Sequence, residues 1–197
     1  SQAYAFYAWR MDSDLIGTVA AVHRSNEHTF SKVTCESIEL VAVLGVNGDA
    51  HQGANVKHRS RFAANPDQPN LRQVHLVMSE LLDEVKNAGD NIVAGQRGEN
   101  ITTTGIDLIS LPVGSMLRIG NETLVALTGL RNPCRQIKSV GDGVMKMMFI
   151  DDPDNPDVPK IGRTGAIVIV AAARPILSLL AVTLRCPARP RSRMSQL

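Results

Sequence analysis

Short apolar runs rich in valine, isoleucine and leucine recur along the chain and are separated by glycine, asparagine, aspartate and proline. Runs of this length and composition predict β-strands rather than helices. The predicted strands cover residues 15–22, 37–46, 72–77, 116–119, 123–127 and 165–170. Gly120 and Asn121 stand between two of these strands and predict a hairpin turn.

One segment has helical periodicity. Ser79 is its predicted N-cap, apolar residues follow at helical spacing, and Gly89 fits the left-handed position after the last turn. Long polar loops occupy residues 47–70 and 151–160, and the second is acidic and rich in proline. Many short strands with one or a few short helices predict a mainly β, barrel-like domain.

Composition and the length of the apolar runs argue against two kinds of partner, nucleic acid and a membrane. The 197 residues are 44% hydrophobic and 20% charged, with a net charge of +2, which is typical of a soluble globular protein and provides no overall field for nucleic acid. The apolar run 166–184 is interrupted by Arg174 and Pro175, and the pieces are shorter than the roughly 20 apolar residues that cross a bilayer. Neither nucleic acid nor a membrane is an expected partner, and the oligomeric state stays open.

Cysteine usage indicates a reducing compartment. Cys35, Cys134 and Cys186 are an odd number without close spacing, so a disulfide framework is not expected. Because the first residues also do not resemble a cleavable signal, a cytoplasmic protein is predicted. The expected organisation is an N-terminal extension (residues 1–14), one β-barrel domain (15–170) and an atypical C-terminal segment (171–197).

Cys134 is the first candidate for chemistry. It follows Pro133 and lies between Arg131 and Arg135, shortly after a predicted strand. Positive charges favour the thiolate, which is the form that attacks electrophiles, carries sulfur or binds a soft metal. An inert cysteine is the alternative interpretation, and the local sequence leaves both open.

The glycine-rich loop 45–53 brings Asp49 and His51 together in sequence. A surface turn and a ligand site explain this pattern equally well. A zinc site would need a third ligand such as His58 or His75, and their spacing matches no recognised zinc pattern.

A second glycine-flanked loop spans residues 95–103. Successive backbone N–H groups around Gly98 could form a nest that binds an anion, and Arg97 adds a positive charge beside it. The pattern alone is unspecific, because many hairpin corners share it.

Four motifs in one order resemble the MOSC domain, the family named for the C-terminal domain of molybdenum cofactor sulfurases. They are residues 48–53 (GDAHQG), 72–76 (RQVHL), 98–101 (GENI) with 105–108 (GIDL), and 133–134 (PC). The resemblance rests on their order and spacing and runs from residue 16 to residue 170. The segment 171–175 (AAARP) departs from the family's usual glycine turn, which puts cofactor contacts from that end in doubt.

The resemblance implies a barrel-like MOSC fold with a cleft for the molybdenum cofactor, a molybdenum-binding pterin (molybdopterin). In that cleft Cys134 would ligate molybdenum or carry sulfur as a persulfide. Stand-alone members of the family include proteins that reduce N-hydroxylated compounds with this cofactor, which implies an oxidoreductase and a redox protein partner. Pyridoxal phosphate belongs only to larger members, which pair the domain with a desulfurase.

The residues fit such a ligand. The pterin phosphate needs cations and N–H donors, and Asn100 offers donor and acceptor groups for a pterin edge. Cys134 is the candidate catalytic residue and metal ligand. The candidate cofactor-binding residues are Asp49, His51, Arg72, Arg97, Gly98, Glu99, Asn100 and Arg131.

Two alternatives to the oxidoreductase remain. One is a sulfur carrier that holds a persulfide on Cys134 and delivers it to a partner for metal-sulfur or cofactor assembly, with a desulfurase as a possible protein partner. The other is a barrel-like binding domain that has lost its cofactor, and a protein that releases the cofactor during isolation would look the same. All of them use the same cleft and differ in what it holds.

Overall fold

The computed structural model describes residues 15–120, 122–133, 137, 143–150, 161–173, 177–178 and 183–186. The strands are β1 (Leu15–Arg24), β2 (Val33–Cys35), β3 (Ser37–Ile38), β4 (Leu40–Val41), β5 (Gly45–Val46), β6 (Val74–Met78), β7 (Ile101–Thr104), β8 (Met116–Ile119), β9 (Thr123–Leu130), β10 (Phe149–Ile150), β11 (Ile161–Gly162), β12 (Ala166–Ala172), β13 (Leu177–Ser178) and β14 (Thr183–Cys186). The helices are α1 (Arg59–Ala64), α2 (Ser79–Asn87) and α3 (Val144–Met147). The predicted N-terminal extension and the acidic loop 151–160 lie outside the described residues.

Eight strands form the main sheet, in the spatial order β14-β8-β9-β12-β6-β7-β1-β2. Because β14 also pairs with β1, the seven strands from β14 to β1 close into a ring. The pairing of β6 with β7 is parallel, and the other pairings of this sheet are antiparallel. The predicted fold class, mainly β and barrel-like with short helices, is confirmed.

Aliphatic side chains fill the core. Strand β6 is buried along its whole length, because β12 and β7 flank it and the core covers it. Helix α2 packs on this part of the sheet through the buried side chains of Leu81, Leu82 and Val85. Complete burial of one such side chain contributes about 1.5–3 kcal/mol, so a core of this kind needs few aromatic residues.

The predicted strand 37–46 is wrong as a single element. The chain forms β3, β4 and β5 there, and β4 pairs with β5 in a tight reversal. Val43 has φ 67° and Gly45 has φ 97° in this turn. A β-branched residue rarely adopts positive φ, so the apolar pattern gave no sign of a turn.

Two further details differ from the sequence prediction. Ser79 is the first helical residue of α2 rather than its cap, and its hydroxyl forms a hydrogen bond with the Thr104 hydroxyl at 2.7 Å. The long polar loop 47–70 contains the short helix α1. Gly89 follows α2 with φ 95°, as predicted for the residue after a helix.

The C-terminal segment contributes strands to the fold. Strand β13 pairs with β3, and β14 joins the main sheet between β1 and β8. Within the described ranges, no helix has both the length and the apolar character that a membrane span requires.

Candidate functional site

The loop after β5 places a carboxylate inside the protein. The Asp49 side chain is fully buried, and its Oδ1 accepts the backbone N–H of His51 at 3.0 Å in a local turn. Its Oδ2 accepts hydrogen bonds from Lys32 Nζ at 2.7 Å and from Asn100 Nδ2 at 3.0 Å. Asp49 therefore joins three segments that are distant in sequence.

Electrostatic interactions stabilise the buried carboxylate of Asp49. Burial alone would raise the pKa of Asp49, but the hydrogen bond from His51 and the charge and hydrogen bond of Lys32 hold it well below its usual range. Burial lowers the pKa of Lys32, and the charge of Asp49 opposes that shift. The two side chains form a buried ion pair, in which each partner depends on the other.

Asn100 forms hydrogen bonds that link several segments of the wall of the site. Its backbone N–H donates to the His75 carbonyl at 2.8 Å, and its Oδ1 accepts the His75 backbone N–H at 3.2 Å. Its Nδ2 donates to Asp49 and to the His23 carbonyl. Because both ends of the amide are already engaged within the protein, the structure gives Asn100 a positioning role beside the site.

His75 and Arg131 meet at the inner end of the site. Strand β6 carries His75, and Arg131 follows β9, whose neighbour β12 separates it from β6. Arg131 Nη1 forms a hydrogen bond with His75 Nδ1. Burial, followed by the charges of Arg131, Arg97 and Lys32, lowers the pKa of His75 well below its usual range, and a hydrogen bond with the Gly98 backbone opposes this only in part. The ring is therefore neutral.

Arg72, His51 and His58 also line the site. Asn70 fixes this side, because its Nδ2 donates to the carbonyls of His51 and Gly53 and its Oδ1 accepts the Arg72 N–H. Burial, with the charges of Arg131 and Arg72, lowers the pKa of His58 to about 4. Burial, with the charges of Arg61 and Arg131, lowers the pKa of Arg72 to about 10, so Arg72 stays charged at neutral pH.

These side chains surround one opening to solvent, here called the cleft. Arg72, Arg131 and Lys32 line it, the Lys32 charge being paired with Asp49, and none of the described residues that line it is acidic. A concave site with clustered cations of this kind favours an anionic ligand. The described lining residues are Lys32, His51, His58, Arg72, His75, Gly98, Asn100, Arg131 and Ile167.

Arg97 and Glu99 lie behind the cleft wall. Glu99 Oε1 accepts the Gly95 N–H at 2.6 Å, and its Oε2 accepts the Arg97 N–H at 3.0 Å. The Gly98 N–H donates to the Gly95 carbonyl. The N–H groups around Gly98 thus bond within the loop: those of Gly95 and Arg97 donate to the Glu99 carboxylate, and that of Gly98 donates to a backbone carbonyl. The Arg97 guanidinium is buried against the sulfur of Met148.

Cys134 lies outside the described residues. The described chain reaches Pro133, and the backbone of Arg131 is held on both sides: its N–H donates to Gly165 and its carbonyl accepts the Thr164 N–H. The last anchored residue before Cys134 therefore lines the cleft. The assignment of Cys134 stays a prediction.

The structure brings most sequence candidates together and adds others. Asp49, Arg97 and Glu99 lie behind the cleft, where Asp49 bonds Lys32. The sequence candidates that line the cleft are His51, Arg72, Gly98, Asn100 and Arg131. Sequence analysis did not single out Lys32, because a lysine before a short strand carries no recognisable pattern. His58 and His75 were considered only for zinc, and the described residues hold no group of three side chains arranged to bind a metal.

The fold and the cleft define a class: a mainly β, barrel-like domain with a cationic ligand site. The sequence matches the MOSC domain over residues 49–166, more than half of the chain, and the protein belongs to that family. This family is associated with the molybdenum cofactor. No curated protein matches the sequence.

Solved structures share the fold at low sequence identity. The YuaD protein from Bacillus subtilis superposes with a TM-score of 0.71 at 19% identity, over 90% of this chain and 99% of YuaD. YiiM from Escherichia coli has a TM-score of 0.53 at 18% identity, over 90% of this chain and 70% of its own. YiiM from Geobacillus stearothermophilus has a TM-score of 0.55 at 14% identity, over 89% and 77%.

Proposed function

We propose that this protein binds the molybdenum cofactor in the cleft, with the Cys134 thiolate as a ligand of molybdenum, and acts as an oxidoreductase on N-hydroxylated compounds or as a component of one. The observation that supports this most is the convergence of Arg72 and Arg131 on one opening without a lining carboxylate among the described residues, beside Lys32, whose charge is paired with Asp49. The cofactor of this family carries a phosphate, and phosphate is the kind of group that such a cluster binds.

The electrostatics fit an anionic group. Burial lowers the pKa values of Lys32, Arg72, His58 and His75, and the charge of Arg131 lowers each of them further, so positive charge is disfavoured on every group around Arg131. Clustered like charges destabilise a fold unless something offsets them. A bound anion offsets them and stabilises the folded state by mass action.

Within the cleft, different residues suit different parts of the ligand. Arg72 and Arg131 present guanidinium groups, which bind phosphate through paired hydrogen bonds. Asn100 and Asp49 keep Lys32 and His75 in place rather than contacting the ligand themselves. When bound, the cofactor supplies the redox chemistry at molybdenum, and the protein supplies binding and orientation.

Arg72→Gln tests the charge of the cleft. Molybdenum and oxidised pterin are measured per mole of protein isolated from cells that make the cofactor. Because a charge-assisted hydrogen bond contributes about 1.5–3 kcal/mol, we expect cofactor retention to fall about tenfold or more. The matched control is Arg118→Gln on β8, which removes an exposed arginine outside the cleft and should leave retention unchanged.

Two results would contradict the proposal. One is equal retention in Arg72→Gln and Arg118→Gln. The other is wild-type protein without pterin or molybdenum that carries a persulfide on Cys134, which would favour the sulfur carrier instead.

A further inference from the structure

His51 lines the cleft and forms a carboxylate–histidine pair with Asp49. Hydrogen bonds hold its backbone, because the His51 N–H donates to Asp49 Oδ1 at 3.0 Å and the His51 carbonyl accepts a bond from Asn70 Nδ2 at 2.8 Å. The ring contacts the same carboxylate, with Nδ1 3.3 Å from Asp49 Oδ1. The protein therefore sets the position of the ring before any ligand arrives.

The carboxylate fixes the tautomer of this ring. Asp49 is ionised at neutral pH, because the hydrogen bonds from His51 and Lys32 outweigh the effect of burial and hold its pKa well below its usual range. An ionised carboxylate only accepts hydrogen bonds, so His51 Nδ1 carries the proton that it donates to Asp49. In the neutral ring Nε2 then holds the lone pair, and Nε2 is the nitrogen that gains and loses a proton.

His51 Nε2 is open to the cleft. The Asp49 side chain on the Nδ1 side of the ring is fully buried, whereas 24% of the His51 side chain is exposed. In the described part of the chain no group forms a hydrogen bond with Nε2, and this atom is not sealed from solvent. The rings of His28 and His58 lie beside it, with centroids 5.0 Å and 6.3 Å from that of His51. A ligand in the cleft can therefore contact this nitrogen.

The charges around His51 make its protonation depend on what the cleft holds. Burial lowers the pKa of His51, the hydrogen bond and charge of Asp49 oppose that shift, and the positive charges of Lys32 and His28 add to it. The free protein therefore has a neutral ring at neutral pH. A negative charge nearby favours the protonated form of a histidine, so an anionic ligand in the cleft raises the pKa of His51 and makes the protonated ring available.

We infer that His51 is a catalytic residue that donates a proton from Nε2 to the oxygen that leaves the substrate, and that Asp49 is a positioning residue that holds the ring. This inference rests on the proposed function. Reduction of an N-hydroxylated compound breaks its N–O bond, consumes two electrons and two protons, and releases the oxygen as water. His51 supplies one proton to that oxygen and solvent supplies the other, while the reduced redox partner supplies both electrons through the cofactor. Because Nε2 is open to solvent, the ring then takes up a new proton.

His51→Asn separates this role from a structural one. The amide nitrogen of asparagine takes the place of Nδ1 and keeps a donor for Asp49, but nothing replaces Nε2. Pterin content and melting temperature are measured together with the rate at which an N-hydroxylated amine is reduced, with a reduced viologen dye as electron donor. We expect pterin content and melting temperature close to those of wild type, and a rate that falls about 100-fold or more. The wild-type rate should fall as the pH rises through the pKa of His51, and the variant should lack this dependence.

His28→Asn is the matched control. It removes the neighbouring ring, which does not line the cleft, and should keep the pterin and most of the wild-type rate. Nitrogen NMR of the wild-type protein gives a readout without turnover. The proton of the neutral His51 ring should be on Nδ1, and the pKa of His51 should be higher in cofactor-loaded than in cofactor-free protein.

The outcomes are distinct. If wild-type protein is active and His51→Asn reduces the substrate at the same rate, the inference is overturned and the proposed function stands. If His51→Asn loses pterin in proportion to its rate, His51 holds the cofactor instead of donating a proton, which also overturns the inference. If the variant does not fold, NMR decides, and a neutral ring with its proton on Nε2 contradicts the inference. If wild-type protein retains no pterin or reduces no N-hydroxylated compound, the proposed function fails and this inference fails with it.

Discussion

Asp49→Asn is expected to destabilise the protein by about 3–5 kcal/mol, measured by urea unfolding, because it leaves Lys32 charged and buried without a carboxylate partner. The exposed fractions of the two side chains are 0% for Asp49 and 3% for Lys32, so water cannot replace the lost partner. His51 and Asn100 also donate to Asp49, and an asparagine there can accept only part of these bonds.

A second substitution tests the reason for this loss. Lys32→Met removes the unpaired charge, so the double variant Asp49→Asn with Lys32→Met should be more stable than Asp49→Asn alone. A double variant that is less stable would show that the ion pair is not what Asp49 contributes.

Gly165→Ala is expected to cost at least about 3 kcal/mol of unfolding free energy. Gly165 has φ 136°, which L side chains rarely adopt, and a Cβ there would overlap the carbonyl oxygen of Leu76. This oxygen belongs to the backbone of β6. It cannot move aside without breaking the pairing of Leu76 with Ala166. Urea unfolding measures the loss.

Gly89→Ala is the matched control for this substitution. Gly89 also has positive φ (95°), but a Cβ there would meet nothing within 4 Å. Its cost should therefore reflect backbone strain alone, about 1–2 kcal/mol. Equal losses in the two variants would mean that close packing of β12 on β6 does not depend on Gly165.

The sequence predicted most of the sheet because its strands are short, separate apolar runs. The prediction for residues 116–119 coincides with β8, and the prediction for 123–127 lies within β9. It failed where one apolar run contains a turn, at residues 37–46, since hydrophobicity does not report positive φ at Val43. It also gave no strand order, because pairing such as that of β14 with β1 depends on contacts between the chain ends.

The site was predictable where residues share a recognisable motif. Asp49 and Arg72 come from two of the motifs, and Arg131 lies two residues before a third. Arg72 and Arg131 line the cleft, and Asp49 bonds Lys32 beside it. The directions of side chains were not predictable: Arg97 and Gly98 are adjacent, yet the Arg97 side chain turns into the core while Gly98 lines the cleft. Lys32 lies outside the motifs, and only the folded structure shows that it pairs with Asp49 at the site.

In the proposed function, Cys134 holds the molybdenum cofactor in the cleft. The most direct measurement compares molybdenum and oxidised pterin per mole of protein in wild type, Cys134→Ala and Cys35→Ala. Cys35 is the matched control, because it is a free cysteine on β2 outside the cleft. We expect wild type and Cys35→Ala to retain both components and Cys134→Ala to lose molybdenum. Full retention of molybdenum and pterin in Cys134→Ala would contradict it.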